Sequence, residues 1–170
     1  EMTMKARDRR NPYGMLSVPA LCLAAFAIAP TASAQLAVSS NDTKVINVDG
    51  VNKIVENPEP DNVTIIDLGI SPPKVVGQVN APGSVVGPPQ SVAVAPDESI
   101  SLVAASTKMN PTDTKKTVPK NQLSLINLKA TPPTVIATLE LGVSPAGVSF
   151  SPDGKLVLVT NRGDGTVSIL

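Results

Sequence analysis

The stretch PAGVSFSPDG at residues 145–154 decides the fold, because it repeats the earlier stretch PQSVAVAPDE at residues 89–98. The two stretches align at an offset of 56 residues, and so do the apolar segments that follow them, VLVTN and SLVAA. Each copy consists of short β-branched runs cut by Pro, Gly and Asp, a pattern typical of strands separated by turns. Apolar residues at helical spacing are absent, so the repeat predicts an all-β fold.

A second set of segments repeats at an offset of 60 residues. VTIIDL at residues 63–68 matches LSLINL at residues 123–128, and SPPKVVGQV at residues 71–79 matches TPPTVIATL at residues 131–139. A third copy begins with VSIL at residues 167–170. Four strands per unit and unit lengths of roughly 40 to 60 residues are typical of β-propellers. We therefore predict four-stranded antiparallel blades, with strands named a to d from the hub outwards.

One complete and two partial blades are predicted. Residues 35–80 supply strands b, c and d, residues 87–141 supply all four strands, and residues 145–170 supply strands a, b and c. LVLV at residues 156–159 is apolar at every position, which predicts a strand covered on both faces by neighbouring sheets. Because closed propellers have roughly 4 to 8 blades, we expect the N-terminal part of a longer protein. The alternative is a short chain that closes the ring by oligomerising.

The first 34 residues predict a secretory signal peptide that is cleaved after Ala34. Basic residues come first, an apolar run of 16 residues follows at 15–30, and small residues at 32–34 form the cleavage site. The run contains Pro19 and is shorter than the roughly 20 residues of a membrane-spanning helix. We therefore expect an exported protein, periplasmic, cell-surface or secreted, with no transmembrane helix after cleavage.

Composition excludes several kinds of site. The chain of 170 residues has no His, and its single Cys, Cys22, lies in the predicted signal, so neither a Ser-His-Asp triad nor a structural zinc site can be built. Residues 35–170 carry ten basic and twelve acidic side chains, a net charge of −2, and Phe150 is their only aromatic residue. Without a basic excess or stacking aromatics we expect no nucleic-acid partner. We assign no catalytic residue, no cofactor and no metal ligand.

Two long connections between strands b and c carry the candidate binding residues. The first, residues 41–61, has a net charge of −3, and the second, residues 107–121, has +3. We predict that they lie on one face of the ring and lean together across adjacent blades to build a partner-binding surface on a rigid scaffold. The alternative is that both are solvated polar insertions, since exposed ion pairs contribute little. The candidate residues are Asp49, Glu56, Asp61, Lys108, Lys115, Lys116 and Lys120.

Three other motifs are not assigned the function that their sequence suggests. Asp49-Gly50 lacks the alternating ligand order of an EF-hand calcium loop. Arg162-Gly163-Asp164 spells an adhesion tripeptide but falls at a predicted turn between strands b and c. Residues 97 and 153 are both Asp after Pro at equivalent turns, so we interpret them as structural.

Two segments resemble the YVTN repeat of bacterial and archaeal exported propellers: GPPQSVAVAPD at residues 87–97 and SPAGVSFSPDGKLVLVTN at residues 144–161. Val159-Thr160-Asn161 matches the last three letters of the repeat name, whereas Leu158 stands in place of Tyr and the middle unit has VAA at residues 103–105. The resemblance covers nearly all of residues 35–170. It implies surface-layer or periplasmic binding proteins and relatives of phosphogluconolactonase-type lactonases, but no lactonase site residue can be matched. A fold alone does not assign an activity.

The leading functional hypothesis is an exported propeller that binds a protein, an envelope component or a small ligand and does no catalysis. The alternative is a lactonase-like hydrolase whose site in the central channel is completed by further blades. A third interpretation is a truncated product without a function, whose open sheet edge and apolar face would favour aggregation.

Overall fold

The computed structural model describes residues 35–84 and 91–170. The predicted signal peptide with its cleavage site at Ala34, and the start of the predicted second blade at residues 87–90, lie outside the described residues. The described part is all-β, as expected, and contains no helix that could cross a membrane. Its strands are β1 (Leu36–Asn41), β2 (Val45–Val48), β3 (Val51–Ile54), β4 (Asn62–Asp67), β5 (Lys74–Asn80), β6 (Val92–Val94), β7 (Ile100–Met109), β8 (Thr117–Asn127), β9 (Thr134–Glu140), β10 (Pro145–Phe150), β11 (Val157–Asn161) and β12 (Thr166–Ile169).

Ten of these strands form three antiparallel sheets. The first sheet has the order β1-β4-β5, the second β6-β7-β8-β9 and the third β10-β11-β12. These orders agree with the predicted sequences of strands b-c-d, a-b-c-d and a-b-c. Glycines with a positive φ, Gly154 (70°) and Gly165 (69°), lie in turns of the third sheet, where a residue with a side chain would be strained.

The first and second sheets contain the same β-bulge between their last two strands. A bulge leaves Val76 of β5 without a ladder partner, and the same bulge leaves Ile136 of β9 without one. These two residues are 51% and 56% exposed. A bulge is a specific feature of strand geometry that related structures retain. Its presence at the same place in both sheets therefore supports the interpretation of the chain as a repeat.

Two apolar clusters join the three sheets. The cluster between the first and second sheets contains Val63, Ile65, Val103 and Ile126, each at most 1% exposed. The cluster between the second and third sheets contains Leu102, Ala104, Leu123, Val148 and Val159. Successive residues of β7 enter opposite clusters because side chains alternate along a strand. The second sheet is therefore buried on both faces.

The third sheet is covered on one face only, so the prediction of two-sided burial for residues 156–159 was wrong. Val157 and Val159 pack towards the second sheet, whereas Leu156 and Leu158 are 51% and 48% exposed. Apolar side chains on both alternations make a strand suitable for two-sided burial, but burial also needs a sheet on each side. Among the described residues no sheet lies over this second face.

The two predicted long connections contain more strand than expected. Residues 45–54 fold as the hairpin β2–β3, whose turn residues Asp49 and Gly50 have φ of 53° and 80°. Two positive φ angles are the requirement of a type I′ turn, and VINV and VNKI on either side of Asp-Gly are its strands. In the second connection, Lys108 pairs with Val118, so only residues 110–116 form the tip between β7 and β8.

Candidate functional site

A pocket lies between two insertions that come from corresponding places in adjacent sheets. The first insertion comprises residues 42–61 between β1 and β4, and the second comprises residues 107–121 at the far end of the β7–β8 hairpin. Residues of both insertions and of the segment after β5 line a cavity of about 280 Å³, here called the insertion pocket. Its apolar walls are Pro60, Ala81 and Pro82, and its charged lining residues are Lys44, Asp61, Lys108 and Lys120.

A buried ion cluster supports one side of the insertion pocket. The ammonium of Lys44 lies 2.9 Å from Asp42 Oδ1 and 2.5 Å from Asp61 Oδ2, and the whole residue is 5% exposed. Lys44 Nζ also donates a hydrogen bond of 2.9 Å to the carbonyl oxygen of Gly83, and the Gly83 N–H donates to Asp61 Oδ2. These contacts join the first insertion to the segment that follows β5.

The same segment is joined to the second insertion. The Thr107 N–H donates a hydrogen bond of 3.0 Å to Ser84 Oγ, and this hydroxyl lies 3.2 Å from the Thr107 carbonyl oxygen. A Cβ on Gly83 would collide with Ser40 Oγ, so a larger residue next to Ser84 would require the Ser40 side chain to move. Residues 81–84 therefore connect the two insertions and form the base of the insertion pocket.

Lys108 on β7 and Lys120 on β8 form a cationic pair that lines the insertion pocket. Lys108 lies opposite Val118, and Lys120 lies at the irregularity where β8 has one residue more than β7 between the pairs Thr107–Pro119 and Ala105–Gln122. Burial lowers the pKa of Lys120, and the positive charge of Lys108 lowers it further. Within residues 35–84 and 91–170, neither lysine forms an ion pair.

The structure brings three of the seven candidate residues together in the pocket, namely Asp61, Lys108 and Lys120. The other four lie elsewhere on the insertions. Asp49 is in the hairpin turn, and Lys116 pairs with Asp113 at the tip of the second insertion. Glu56 and Lys115 approach across the two insertions at 3.9 Å, with side chains 61% and 78% exposed, and such exposed pairs contribute little.

Lys44 is the site residue that sequence reasoning did not single out. It was counted in the charge of the first connection, but its burial depends on the segment after β5, which lies 39 residues away in sequence at Gly83. Lysine is almost never fully buried unless it is paired. Two aspartates near one lysine are common in polar loops, so the sequence offers no signal that distinguishes this pairing from chance.

Polar residues of the repeat motif have structural roles in the described residues. Asn161, at the end of VTN, is 2% exposed and donates hydrogen bonds to Thr166 Oγ1 and Ser168 Oγ on the neighbouring strand. Asn41 occupies the same place in the first sheet and donates to Asn62 Oδ1 and Thr64 Oγ1. In both sheets, the asparagine at this place therefore joins strand b to strand c through side-chain hydrogen bonds.

The aspartates at predicted turns also bind nearby groups of the chain. Hydrogen bonds from the Ser99 hydroxyl and N–H lower the pKa of Asp97, and the Ser151 hydroxyl lowers that of Asp153. Residues 162–164 form the turn between β11 and β12. There, a hydrogen bond from the Val143 N–H lowers the pKa of Asp164. These contacts agree with the structural interpretation of the aspartates and of the Arg-Gly-Asp sequence.

No protein-family model and no curated protein matches the chain. Among solved structures, it is similar to the hydrazine synthase of Kuenenia stuttgartiensis, with 16% identity over 68% of this chain and 36% of that one and a TM-score of 0.47. It is similar to a candidate 6-phosphogluconolactonase of Bacteroides fragilis, with 15% identity over 78% of this chain and 33% of that one and a TM-score of 0.48. The chain thus spans about a third of the length of these two proteins. Likenesses at this level assign no activity to it.

Proposed function

We propose that the chain is part of an exported β-propeller of the YVTN-repeat type, and that it acts as a binding or scaffold module in the periplasm or on the cell surface without catalysis. The observation that carries this proposal is a repeated apolar sheet face. This face is buried in the first and second sheets and open in the third. In repeat architectures each unit buries its apolar face against the next one.

The repeated face consists of one residue of strand b and two of strand c in each sheet. The three sets are Val38, Val63 and Ile65 in the first sheet, Leu102, Leu123 and Leu125 in the second, and Leu158, Val167 and Ile169 in the third. In every set the residue of strand b lies directly opposite the last residue named. The first set packs in the cluster between the first and second sheets, and the second set packs in the cluster between the second and third.

The third set has no sheet against it in the described part of the chain. Its members are 48%, 55% and 67% exposed, and a hollow of about 440 Å³ lies beside Val167. A contiguous apolar surface of this kind marks an interaction site. A further sheet of the same repeat, from additional blades or from a second copy of the chain, has the matching geometry. Successive sheets stacked through the same face are the arrangement of a propeller.

The open face is expected to make the purified mature chain self-associate, and Ile169→Lys is expected to prevent this. A lysine ammonium in the contact would lose its hydration without gaining a partner. Ile136→Lys is the matched control, because Ile136 is similarly exposed but lies at the bulge of β9, outside the repeated face. Sedimentation velocity over a range of concentrations measures the association of all three proteins.

The proposal would be contradicted by a wild-type chain that stays monomeric at every concentration, with a cooperative unfolding transition and no binding of an apolar dye. Equal association of both lysine variants would also count against the repeated face as the contact. Circular dichroism and urea unfolding show whether each variant retains the fold of the wild type.

Export is a separate prediction. When the gene is expressed in a bacterial host, mass spectrometry of the exported fraction is expected to identify Gln35 as the first residue. Ala34→Leu is expected to reduce processing, because signal peptidases require a small residue at the cleavage site. An unprocessed N-terminus on a cytoplasmic protein would overturn both the signal peptide and the proposed compartment.

The binding role is assigned to the insertions, because they join two sheets through buried contacts and line a pocket of about 280 Å³ between them. Functional groups are commonly carried by connections on a rigid scaffold. The lactonase-like alternative stays a prediction. No group of three or more His, Cys, Asp or Glu side chains suited to a metal occurs in residues 35–84 and 91–170, and no other feature of these residues favours hydrolysis.

A further inference from the structure

We propose that the insertion pocket binds a small dianion, a dicarboxylate or a phosphate monoester, through Lys108 and Lys120. This inference rests on the binding role proposed for the insertions and adds to it the chemical class of the ligand and the two residues that recognise it. Both lysines line the pocket, Lys108 on β7 and Lys120 on β8. Two cations that line one small pocket can compensate the two negative charges of one small molecule.

The other charged groups of the pocket are already engaged by the protein. Lys44 is held by Asp42, Asp61 and the Gly83 carbonyl. Both carboxylate oxygens of Asp61 accept hydrogen bonds, one from the N–H and hydroxyl of Thr43 and the other from Lys44 and the Gly83 N–H. Among the described lining residues, the two lysines of the pair are therefore the charged groups that remain available to a ligand.

A bound anion would stabilise the lysine pair electrostatically. The positive charges of Lys108 and Lys44 oppose that of Lys120, and burial removes part of its hydration, while Asp61 and Glu140 act in the opposite sense. A bound dianion would compensate both cations of the pair. Hydrogen bonds between an ammonium and a carboxylate or phosphate are about twice as strong as neutral ones.

The dimensions and walls of the pocket limit the ligand to a short molecule. The volume of about 280 Å³ is just below the range of roughly 300–1,000 Å³ that is typical of ligand pockets. Pro60, Ala81 and Pro82 form apolar walls suited to a short aliphatic chain, and Asn80 also lines the pocket. A four-carbon dicarboxylate or a three-carbon phosphate monoester has this combination of size, charge and apolar body.

The test is isothermal titration calorimetry of the mature chain at low ionic strength with four probes: succinate, glycerol 2-phosphate, propionate and glycerol. Succinate or glycerol 2-phosphate is expected to bind roughly tenfold or more tightly than propionate, since a second charge-assisted hydrogen bond contributes more than 1.4 kcal/mol, the equivalent of about tenfold. Glycerol is expected not to bind. Binding of one dianion and not the other identifies which acidic group the pocket prefers.

Lys108→Met and Lys120→Met are each expected to weaken dianion binding by roughly tenfold or more. Lys116→Met removes the same charge from the tip of the second insertion and is expected to change the affinity by less than about twofold. Lys120→Arg keeps the charge and is expected to retain most of the affinity. It also separates loss of the ligand contact from loss of the fold, which urea unfolding checks for every variant.

The proposal is overturned if neither dianion binds, or if Lys116→Met weakens binding as much as Lys120→Met does, because binding would then follow net charge. It is also overturned if glycerol binds as well as succinate. The proposed propeller module has its own test in the association of the Ile169→Lys variant, which leaves the insertion pocket unchanged. Failure of one proposal can therefore be told apart from failure of the other.

Discussion

Replacing Lys44 by methionine is expected to lower the free energy of unfolding by about 3–5 kcal/mol, the usual cost of breaking a buried ion pair from one side. The side chains of Asp42 and Asp61 are only 0% and 10% exposed. Lys44→Met removes the cation that both carboxylates contact, while their negative charge stays in a poorly hydrated place. The hydrogen bond to the Gly83 carbonyl is lost as well, which weakens the connection between the insertions.

Urea unfolding of Lys44→Met beside Lys116→Met measures this effect. Lys116 is also paired, at 3.0 Å from Asp113, but the two side chains are 72% and 37% exposed, so its replacement is expected to cost less than about 1 kcal/mol. Adding Asp61→Asn to Lys44→Met is expected to cost less than the sum of the single changes, because the two groups interact directly. A Lys44→Met midpoint equal to that of the wild type would show that the ion cluster does not form.

Ile126→Ala is expected to destabilise the protein by about 2–5 kcal/mol, because it leaves a cavity in the cluster between the first and second sheets. Ile126 is 0% exposed and packs in the same cluster as Val63, Ile65 and Val103. The effect therefore measures how strongly the two sheets are joined. The slope of the unfolding free energy against urea is expected to stay unchanged if both sheets unfold together.

Ile136→Ala provides the matched control for this change. It deletes the same atoms from the neighbouring strand, but Ile136 is 56% exposed at the bulge of β9, and we expect a cost of less than about 1 kcal/mol. Similar losses for the two variants would contradict the burial of Ile126. A large loss for Ile136→Ala alone would mean that the repeated bulge packs against a further part of the protein.

Both stability predictions bear on the candidate binding site. The two lysines proposed to contact the ligand, Lys108 and Lys120, lie on the paired strands β7 and β8, and residues 81–84 hold the base of the insertion pocket through buried contacts. Ligand groups held by such elements keep their positions better than groups on loops. A variant that loosens the ion cluster is therefore expected to weaken the pocket even though Lys44 itself is not a proposed ligand contact.

The strands could be predicted closely because their signals are local. The repeated segments at residues 63–68 and 131–139 overlap β4 and β9, since β-branched runs and turn residues act over a few positions. The hairpin β2–β3 also had a local signal in Asp49-Gly50, but the charged residues around this pair are typical of a loop, so the hairpin was not predicted. The sequence did not predict how far β7 and β8 extend. Polar residues such as Lys108 and Lys120 form the additional part of these strands, and a polar segment is typical of a loop.

The amino-acid sequence by itself determined the all-β class, the repeated order of strands and the turns between them. These follow from side-chain alternation and from residues such as Gly154 that tolerate a positive φ. The tertiary structure decided which apolar faces are covered, so that Leu102 is buried while its repeat counterpart Leu158 is open. It also decided that Lys44 is buried in an ion cluster and that Lys108 and Lys120 line one pocket. The physical reason is that burial and electrostatic pairing depend on neighbours far away in sequence, which local patterns do not specify.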